Sequence, residues 1–401
     1  MRRVIAPFVL TVLTVFLYSV ALPPVPAFAQ DSEPELDGNA QDKKLRFFGY
    51  FSQAYGSTDG HQILGITEDG TSAYYNVAFH LRYQPTANDH FVVQISRERQ
   101  GRSPIQPHRD DVELDWAFYQ HLFPTGTYVK VGRVPIPIGI YNELRDVGTV
   151  LPFYYPPFSL YTEGEFANET LDGLVVGHTF FAQSSWPLDV DVYGGEWDSY
   201  EISSSTGVVE THVKDALGAQ LWLNTPVSGL RIGAGANRFD VSDGAFRVAE
   251  RDRWKAAMLS LDGDFEHFLV RAELYRREIP LGLTSPPIAI PDVKSDSFYV
   301  QLGYRFDSGW SIHGQVEEGD IALDVGFLPP IEKPFWKDQA LSLGYSFSPR
   351  LFPETSLGVV VKLELHRNEG FFVENDSGHS ILTSDPAETD YALLSVSLAI
   401  F

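Results

Sequence analysis

Apolar and polar side chains alternate with a period of two along much of this chain. Across Ala73–Gln84, Tyr75, Val77, Phe79, Leu81 and Tyr83 fall on one face, with Asn76, His80, Arg82 and Gln84 on the other. Across Ser297–Phe306, Phe298, Val300, Leu302, Tyr304 and Phe306 alternate with Tyr299, Gln301, Gly303 and Arg305. This period marks a β-strand whose two faces meet different surroundings. The same signal, bounded by turn-forming residues, predicts sixteen strands, near 45–55, 73–84, 90–97, 112–121, 127–134, 171–181, 187–195, 215–224, 230–239, 253–262, 265–276, 297–306, 310–317, 338–347, 355–366 and 389–401.

The connections between them alternate in length. The short ones are Pro85–Asp89, Leu122–Gly126, Ala182–Trp186, Thr225–Gly229, Gly263–Asp264, Asp307–Gly309 and Ser348–Glu354, all rich in turn chemistry. The long ones lie around 56–72, 98–111, 135–170, 196–214, 240–252, 277–296, 318–337 and 367–388. A sandwich also alternates apolar and polar positions, but it does not require sixteen segments to keep this rhythm. A propeller would repeat its sequence blade by blade, and no such repeat is present. The predicted fold class is therefore all-β: a transmembrane antiparallel up-and-down β-barrel of about 16 strands, with long extracellular loops and short periplasmic turns.

The N-terminus sharpens this picture. Arg2 and Arg3 precede an apolar run from Val4 to Leu22 and an Ala27-Phe28-Ala29 cleavage pattern, so residues 1–29 read as a signal peptide. Pro23, Pro24 and Pro26 argue against an uncleaved anchoring helix. Residues 30–44 are almost devoid of apolar side chains and read as a disordered periplasmic leader, and 45–401 as the barrel. No later apolar run approaches the roughly 18 residues of a spanning helix, while 13% of the chain is aromatic; export without a membrane helix points to the cell outer membrane of a Gram-negative cell. The chain has no cysteine, which excludes disulfides and thiolate chemistry. Its formal net charge of −23 excludes a nucleic-acid role that would need a basic surface. The long connections carry much of that charge, including Glu196, Asp198, Glu201 and Glu210 in the fourth and Asp376, Asp385, Glu388 and Asp390 in or beside the last. These could share divalent cations with anionic lipopolysaccharide beside the membrane lipid, or simply solubilise the rim.

Catalytic motifs are missing: there is no G-x-S-x-G elbow, no H-E-x-x-H and no G-x-x-x-x-G-K. His108-Arg109-Asp110-Asp111 reads as a solvated charge run, and His80, His121, His313 and His366 as lining residues of the lumen. No cofactor is implied. An outer-membrane barrel hydrolase stays open as the competing class, and a close Ser-His-Asp or paired-carboxylate cluster on the wall would favour it.

The third long connection departs most from the strand pattern. From Arg133 to Glu169 it reads as neither strand nor helix, and it carries Pro135, Pro137, Pro152, Pro156 and Pro157 together with Ile136, Ile138, Ile140, Tyr141, Leu151, Phe153, Tyr154, Tyr155, Phe158 and Tyr161. Irregular backbone this apolar at membrane depth is tolerated only inside protein or along a water cavity, so the segment 135–170 should fold into the lumen. Its charges Glu143, Arg145, Asp146, Glu163, Glu165 and Glu169 would then face cations on the wall, for which Arg82, Lys130, Arg133, Arg271 and Lys362 are the candidates by strand phase or by proximity. Glu143, Arg145 and Asp146 could equally brace the loop. The elements GRVPIPIG at Gly132–Gly139, YNELRDVG at Tyr141–Gly148 and PFYYPP at Pro152–Pro157, on this architecture, resemble the Gram-negative outer-membrane porin superfamily. That resemblance implies a sixteen-stranded barrel whose third loop constricts the pore, a homotrimer, and passive diffusion of small hydrophilic solutes or ions. It also implies that the terminal aromatic Phe401 is an assembly signal read by the outer-membrane insertion machinery. A substrate-specific channel for sugars or organic acids, with Tyr154, Tyr155 and Tyr161 as a slide, is the alternative within the class.

Overall fold

A computed structural model describes residues 44–103, 111–162, 168–203, 207–242, 253–285, 288–323, 331–349, 357–371, 374 and 384–400. The expected signal peptide at 1–29, all of the leader but its last residue, Glu163, Glu165 and Phe401 lie outside these residues. Sixteen strands form one sheet: β1 (Leu45–Thr58), β2 (Thr71–Tyr83), β3 (Asp89–Gln100), β4 (Glu113–Leu122), β5 (Thr127–Pro135), β6 (Thr170–Phe180), β7 (Leu188–Ser203), β8 (Gly207–Asn224), β9 (Leu230–Ser242), β10 (Trp254–Asp264), β11 (Phe268–Ser285), β12 (Ile288–Arg305), β13 (Trp310–Leu323), β14 (Ile331–Phe347), β15 (Leu357–Gly370) and β16 (Ala387–Ile400). Each pairs with its sequence neighbours, and β1 pairs antiparallel with β16 to close the barrel. Closure leaves no strand edge, so the ladder satisfies its own backbone groups, which a structure standing in lipid requires. No helix of the described residues is long and apolar enough to cross a membrane; the chain crosses with strands.

The predicted strands are all present, but three predicted long connections are largely strand, among them 318–337, most of which continues β13 and β14 to Leu323 and Ile331. Most of 196–214 continues β7 and β8 as a paired ribbon out to Ser203 and Gly207, and most of 277–296 continues β11 and β12 to Ser285 and Ile288. There the outward positions turn from apolar to charged, at Glu196 and Asp198 on β7 and at Arg276 and Asp296 on β11 and β12, while the backbone pairing goes on. The short turns behave as their residues dictate. At Asp307–Gly309, Gly309 takes φ +85° and its N–H bonds to Phe306 O at 3.0 Å, a left-handed step that favours glycine.

The faces are inverted relative to a soluble protein. Leu274, Val300, Leu302, Val316, Leu341, Leu343, Leu363 and Leu365 point outward and are exposed, whereas Gln301, Gln315, Ser342 and Glu364 point inward and are buried. The two edges of the outer apolar belt differ. At the turn end, aromatic rings meet one another: Phe268 and Tyr304 at 4.9 Å, Tyr304 and Phe306 at 4.7 Å, Trp310 and Tyr345 at 5.0 Å. At the loop end, cross-strand ion pairs follow the last apolar position: Arg276–Asp296 at 2.6 Å after Leu274, and Arg367–Asp390 at 2.8 Å after Leu365.

The inward loop as candidate functional site

Two backbone devices turn the chain inward after β5. Ile136 N bonds to Glu169 O at 2.9 Å, closing the root of the loop. The buried Asn142 amide then donates to Ile136 O, Asn168 O and Glu169 O at 2.9, 3.2 and 3.0 Å, tying outgoing and returning segments together. The prolines prevent a strand between these points, and the only regular structure described inside the loop is a 3₁₀ turn at Asn142–Leu144 and one α turn at Phe158–Tyr161.

The first arm lies against β7–β12. Ile136, Ile138, Ile140 and Tyr141 join an apolar cluster with Tyr193, Trp197, Trp222, Phe239 and Trp254 of the wall. Polar anchors fix its register: Gly139 N to Gln220 Oε1 at 3.2 Å, Ile140 N to Tyr161 OH at 2.7 Å and to Glu273 Oε1 at 3.1 Å, and Tyr141 OH to Gln301 Oε1. Arg271 donates to Tyr141 OH at 3.0 Å and pairs with Asp262 at 2.8 Å and Asp264 at 3.4 Å.

The loop then crosses toward β2–β5. Asp146 accepts from Asn76 Nδ2 at 2.9 Å and Gln94 Nε2 at 2.8 Å. Arg145 turns back on its own loop, donating to Asn142 Oδ1 at 2.9 Å and Tyr161 O at 3.1 Å. Glu143 stands 3.5 Å from Lys130 with its side chain about half exposed, and Lys130 Nζ lies over the rings of Tyr128 and Phe118 at 5.4 and 5.7 Å. At the loop root Glu169 accepts from Trp116 Nε1 at 2.7 Å. Burial pushes the Glu169 carboxyl well above the usual carboxylate range, the Asp146 and Asp115 carboxylates add to the shift, and Arg145 and Trp116 oppose it.

The far arm runs along β13–β16. Lys362 Nζ donates to Gly148 O, Leu151 O and Phe153 O at 3.2, 3.1 and 2.9 Å. Ser159 gives its N–H and hydroxyl to Glu317 Oε2 at 3.1 and 3.0 Å, and Phe158 meets Trp336 at 4.2 Å.

Set against the sequence, the structure brings together Glu143 with Lys130, and Asp146 with the wall at β2–β3. Several expectations are corrected. Arg271 and Lys362, proposed as cations facing an open gap, are each 2% exposed and hold the loop from beneath. Arg133 does not line the lumen: it shares the outward phase of Val131 and forms a bidentate pair with Asp172 on β6 at 2.8 and 2.6 Å. His121 likewise follows Tyr119 outward and bonds to Asp89 at 2.8 Å. Tyr154 is buried and Tyr155 half-buried, both edge-on to Tyr74, so neither ring lies open as a slide. Arg82 donates to His90 Nδ1 at 3.3 Å on the inner face.

One inward element was missed. The first loop folds onto the lumen as well, through an Ile63–Ile66 bridge whose two isoleucines are buried with Tyr74, Tyr154, Trp336 and Leu393. Glu374 clamps it, accepting from Gly65 N at 2.6 Å and Gln62 Nε2 at 3.1 Å; burial raises that carboxyl while these donors oppose the shift. The signal was the apolar patch Ile63-Leu64-Gly65-Ile66 inside an otherwise polar connection.

This is a closed sixteen-stranded membrane barrel with a chain segment folded into its lumen, and solved structures share that fold. Salmonella typhi OmpF in complex with daunomycin is 12% identical, with 88% of this chain matching 97% of that one at a TM-score of 0.58. OmpT, an outer membrane protein of Vibrio cholerae folded in vitro and solved in trimer form, is 11% identical over 88% of this chain and 98% of its own, with a TM-score of 0.54. An anion-selective porin from Comamonas acidovorans is 10% identical over 88% and 99%, with a TM-score of 0.50. No protein-family model and no curated protein matches the sequence. The chain has the fold of the sixteen-stranded Gram-negative porins.

Proposed function

We propose that this protein is an outer-membrane porin, a passive diffusion channel for small hydrophilic solutes whose bore is set by the loop 135–170, and not an enzyme. The observation that carries this reading is the loop's span across the lumen: one segment bonds to Gln220, Glu273, Gln301, Glu317 and Lys362 on one side and to Asn76 and Gln94 on the other. A segment held at that depth narrows the bore, and the charges left beside water there set its field. Glu143 and Lys130 are that pair. The cleaved signal peptide at 1–29, the homotrimer, the lipopolysaccharide contact and recognition of Phe401 by the insertion machinery belong to this proposal. The breadth of the same packing favours a second reading, a structural barrel with a plugged lumen.

Single-channel recording in a planar bilayer separates the two. The porin reading expects stepwise openings, and Glu143→Gln shifts the zero-current potential in a salt gradient toward anion permeation, because it removes the exposed anion beside Lys130. A protein that inserts and conducts nothing would establish the plugged barrel.

A further inference from the structure

The loop meets the wall in two ways. Against β7–β12 the contact is largely apolar, whereas against β14–β16 the apolar cluster of Trp336, Tyr391 and Leu393 with Tyr154 is accompanied by buried polar side chains on the same inward face. Asp338, Ser342, Glu364, Asn368 and Ser395 are each at most 2% exposed. Their Asp338 Oδ1, Ser342 Oγ, Glu364 Oε1, Asn368 Nδ2 and Ser395 Oγ atoms have no hydrogen-bond partner among the described residues. They form one patch: Asp338 lies opposite Asn368, Ser342 opposite Glu364, and Ser395 opposite Lys362, all on the lumen-facing phase of adjacent strands.

A buried polar atom left dry carries its full desolvation penalty, and five together in one patch demand a solvent. Several polar atoms converging on one space are what an internal water needs. The local cations are already engaged, one of them by the far oxygens of the same two carboxylates. Lys362 serves the carbonyls of Gly148, Leu151 and Phe153, and His366 bridges Asp338 Oδ2 at 2.8 Å and Glu364 Oε2 at 3.5 Å. The free carboxylate oxygens of Asp338 and Glu364, with the hydroxyls of Ser342 and Ser395, therefore make an oxygen-rich surface on the inward face of β14–β16. Toward β1 loop and wall are in close contact, because a side chain at Gly148 would strike the hydroxyls of Ser52 and Ser397, which bond to each other at 2.9 Å.

We propose that a water-filled seam lies between the inward loop and the β14–β16 wall, and that it admits small monovalent cations. It lies apart from the Glu143–Lys130 pair, which sits at β5. The proposal stands on the inward loop alone, so a barrel that fails to conduct would leave it intact.

The natural absence of cysteine makes the test clean. Ser342→Cys and Ser395→Cys, with Ala256→Cys in the apolar contact as reference, are refolded, selected as heat-modifiable barrels on gels, and treated with 2-aminoethyl methanethiosulfonate or its anionic 2-sulfonatoethyl counterpart. Mass spectrometry should find both seam cysteines labelled by the cationic reagent about 10-fold faster than the reference and about 10-fold faster than by the anionic one, the low end of what a charged cleft does to local ion concentration. Seam cysteines no faster than Ala256→Cys overturn the seam, and equal rates with the two reagents overturn the cation preference. On the unsubstituted protein, a high-resolution crystal map should show solvent within hydrogen-bond distance of Asp338 Oδ1, Ser342 Oγ and Glu364 Oε1. A void there overturns the proposal without any variant.

Discussion

Glu169 illustrates how a single side chain reports the state of the loop. Its carboxyl is raised in the folded protein above the roughly 4.3 of a free glutamate, so the native state holds the proton more tightly than the unfolded chain does. The cost of ionising it is absent below about pH 4 and is felt as pH rises through the raised folded value. Glu169→Gln keeps an acceptor for Trp116 Nε1 and removes that cost. The variant should melt at a higher temperature than the parent at pH 8 and at the same temperature at pH 4. A lower melting temperature at pH 8 would mean that the loop root needs the anion. Residue by residue, what the sequence shows is the face and not the partner. Lys362 stood at the right phase of its strand, but nothing in a period of two tells that its ammonium is spent on three loop carbonyls. Arg133 is legible by parity, since it shares the outward phase of Val129 and Val131, and that phase prevails over its closeness to the loop.

At the scale of the element, the loop is held by two different adhesives. Its first arm is sealed by isoleucine and aromatic packing, and its far arm hangs on charged and polar bonds, chiefly those of Lys362. Lys362→Met keeps the length of the stem and deletes three hydrogen bonds to a charged group, leaving buried carbonyls unpaired; a loss on the order of 3 kcal/mol is expected. Equilibrium unfolding in guanidinium should show that loss, and limited proteolysis should cut the variant between Gly148 and Phe153 where the parent resists. A variant that stays uncut would show that the apolar arm alone fixes the loop. The first loop offers a sharper case. Gly65 has φ +73°, and a Cβ there would run into Gln100 O, so Gly65→Ala should dislodge the Ile63–Ile66 bridge and raise hydrogen exchange across residues 58–70 with little effect on the strands. Unchanged exchange would mean that Glu374 and the isoleucines hold the loop regardless of its backbone. The apolar content of 135–170 showed that this segment goes inside, because lipid and water both reject such a chain. The first loop escaped notice because four apolar residues are too few to outweigh the polar ones around them.

For the whole molecule the alternation of faces decides the environment, and this was the most legible level of all. Each strand had to bury one face, no second sheet was available to cover the apolar one, and the structure accordingly turns leucines outward over a belt edged by aromatic rings at the turn end and ion pairs at the loop end. What the period could not reveal is where the belt stops, since β7, β8, β11 and β12 continue as paired ribbon well beyond the last apolar position. The belt makes a depth-dependent prediction. Val300 is 41% exposed, four residues from the Tyr304 girdle and four from Asp296, so it lies midway across the apolar zone, whereas Leu274 is the last outward apolar residue before the Arg276–Asp296 pair. An arginine deep in the bilayer costs about 2–4 kcal/mol, and one near the interface about 0–1 kcal/mol, because there its guanidinium reaches water. Val300→Arg should therefore destabilise the barrel several times more than Leu274→Arg when folding is measured by urea titration in phospholipid vesicles. Equal costs at the two depths would mean that this face does not stand in lipid, and the membrane orientation drawn from the two rims would fall with it.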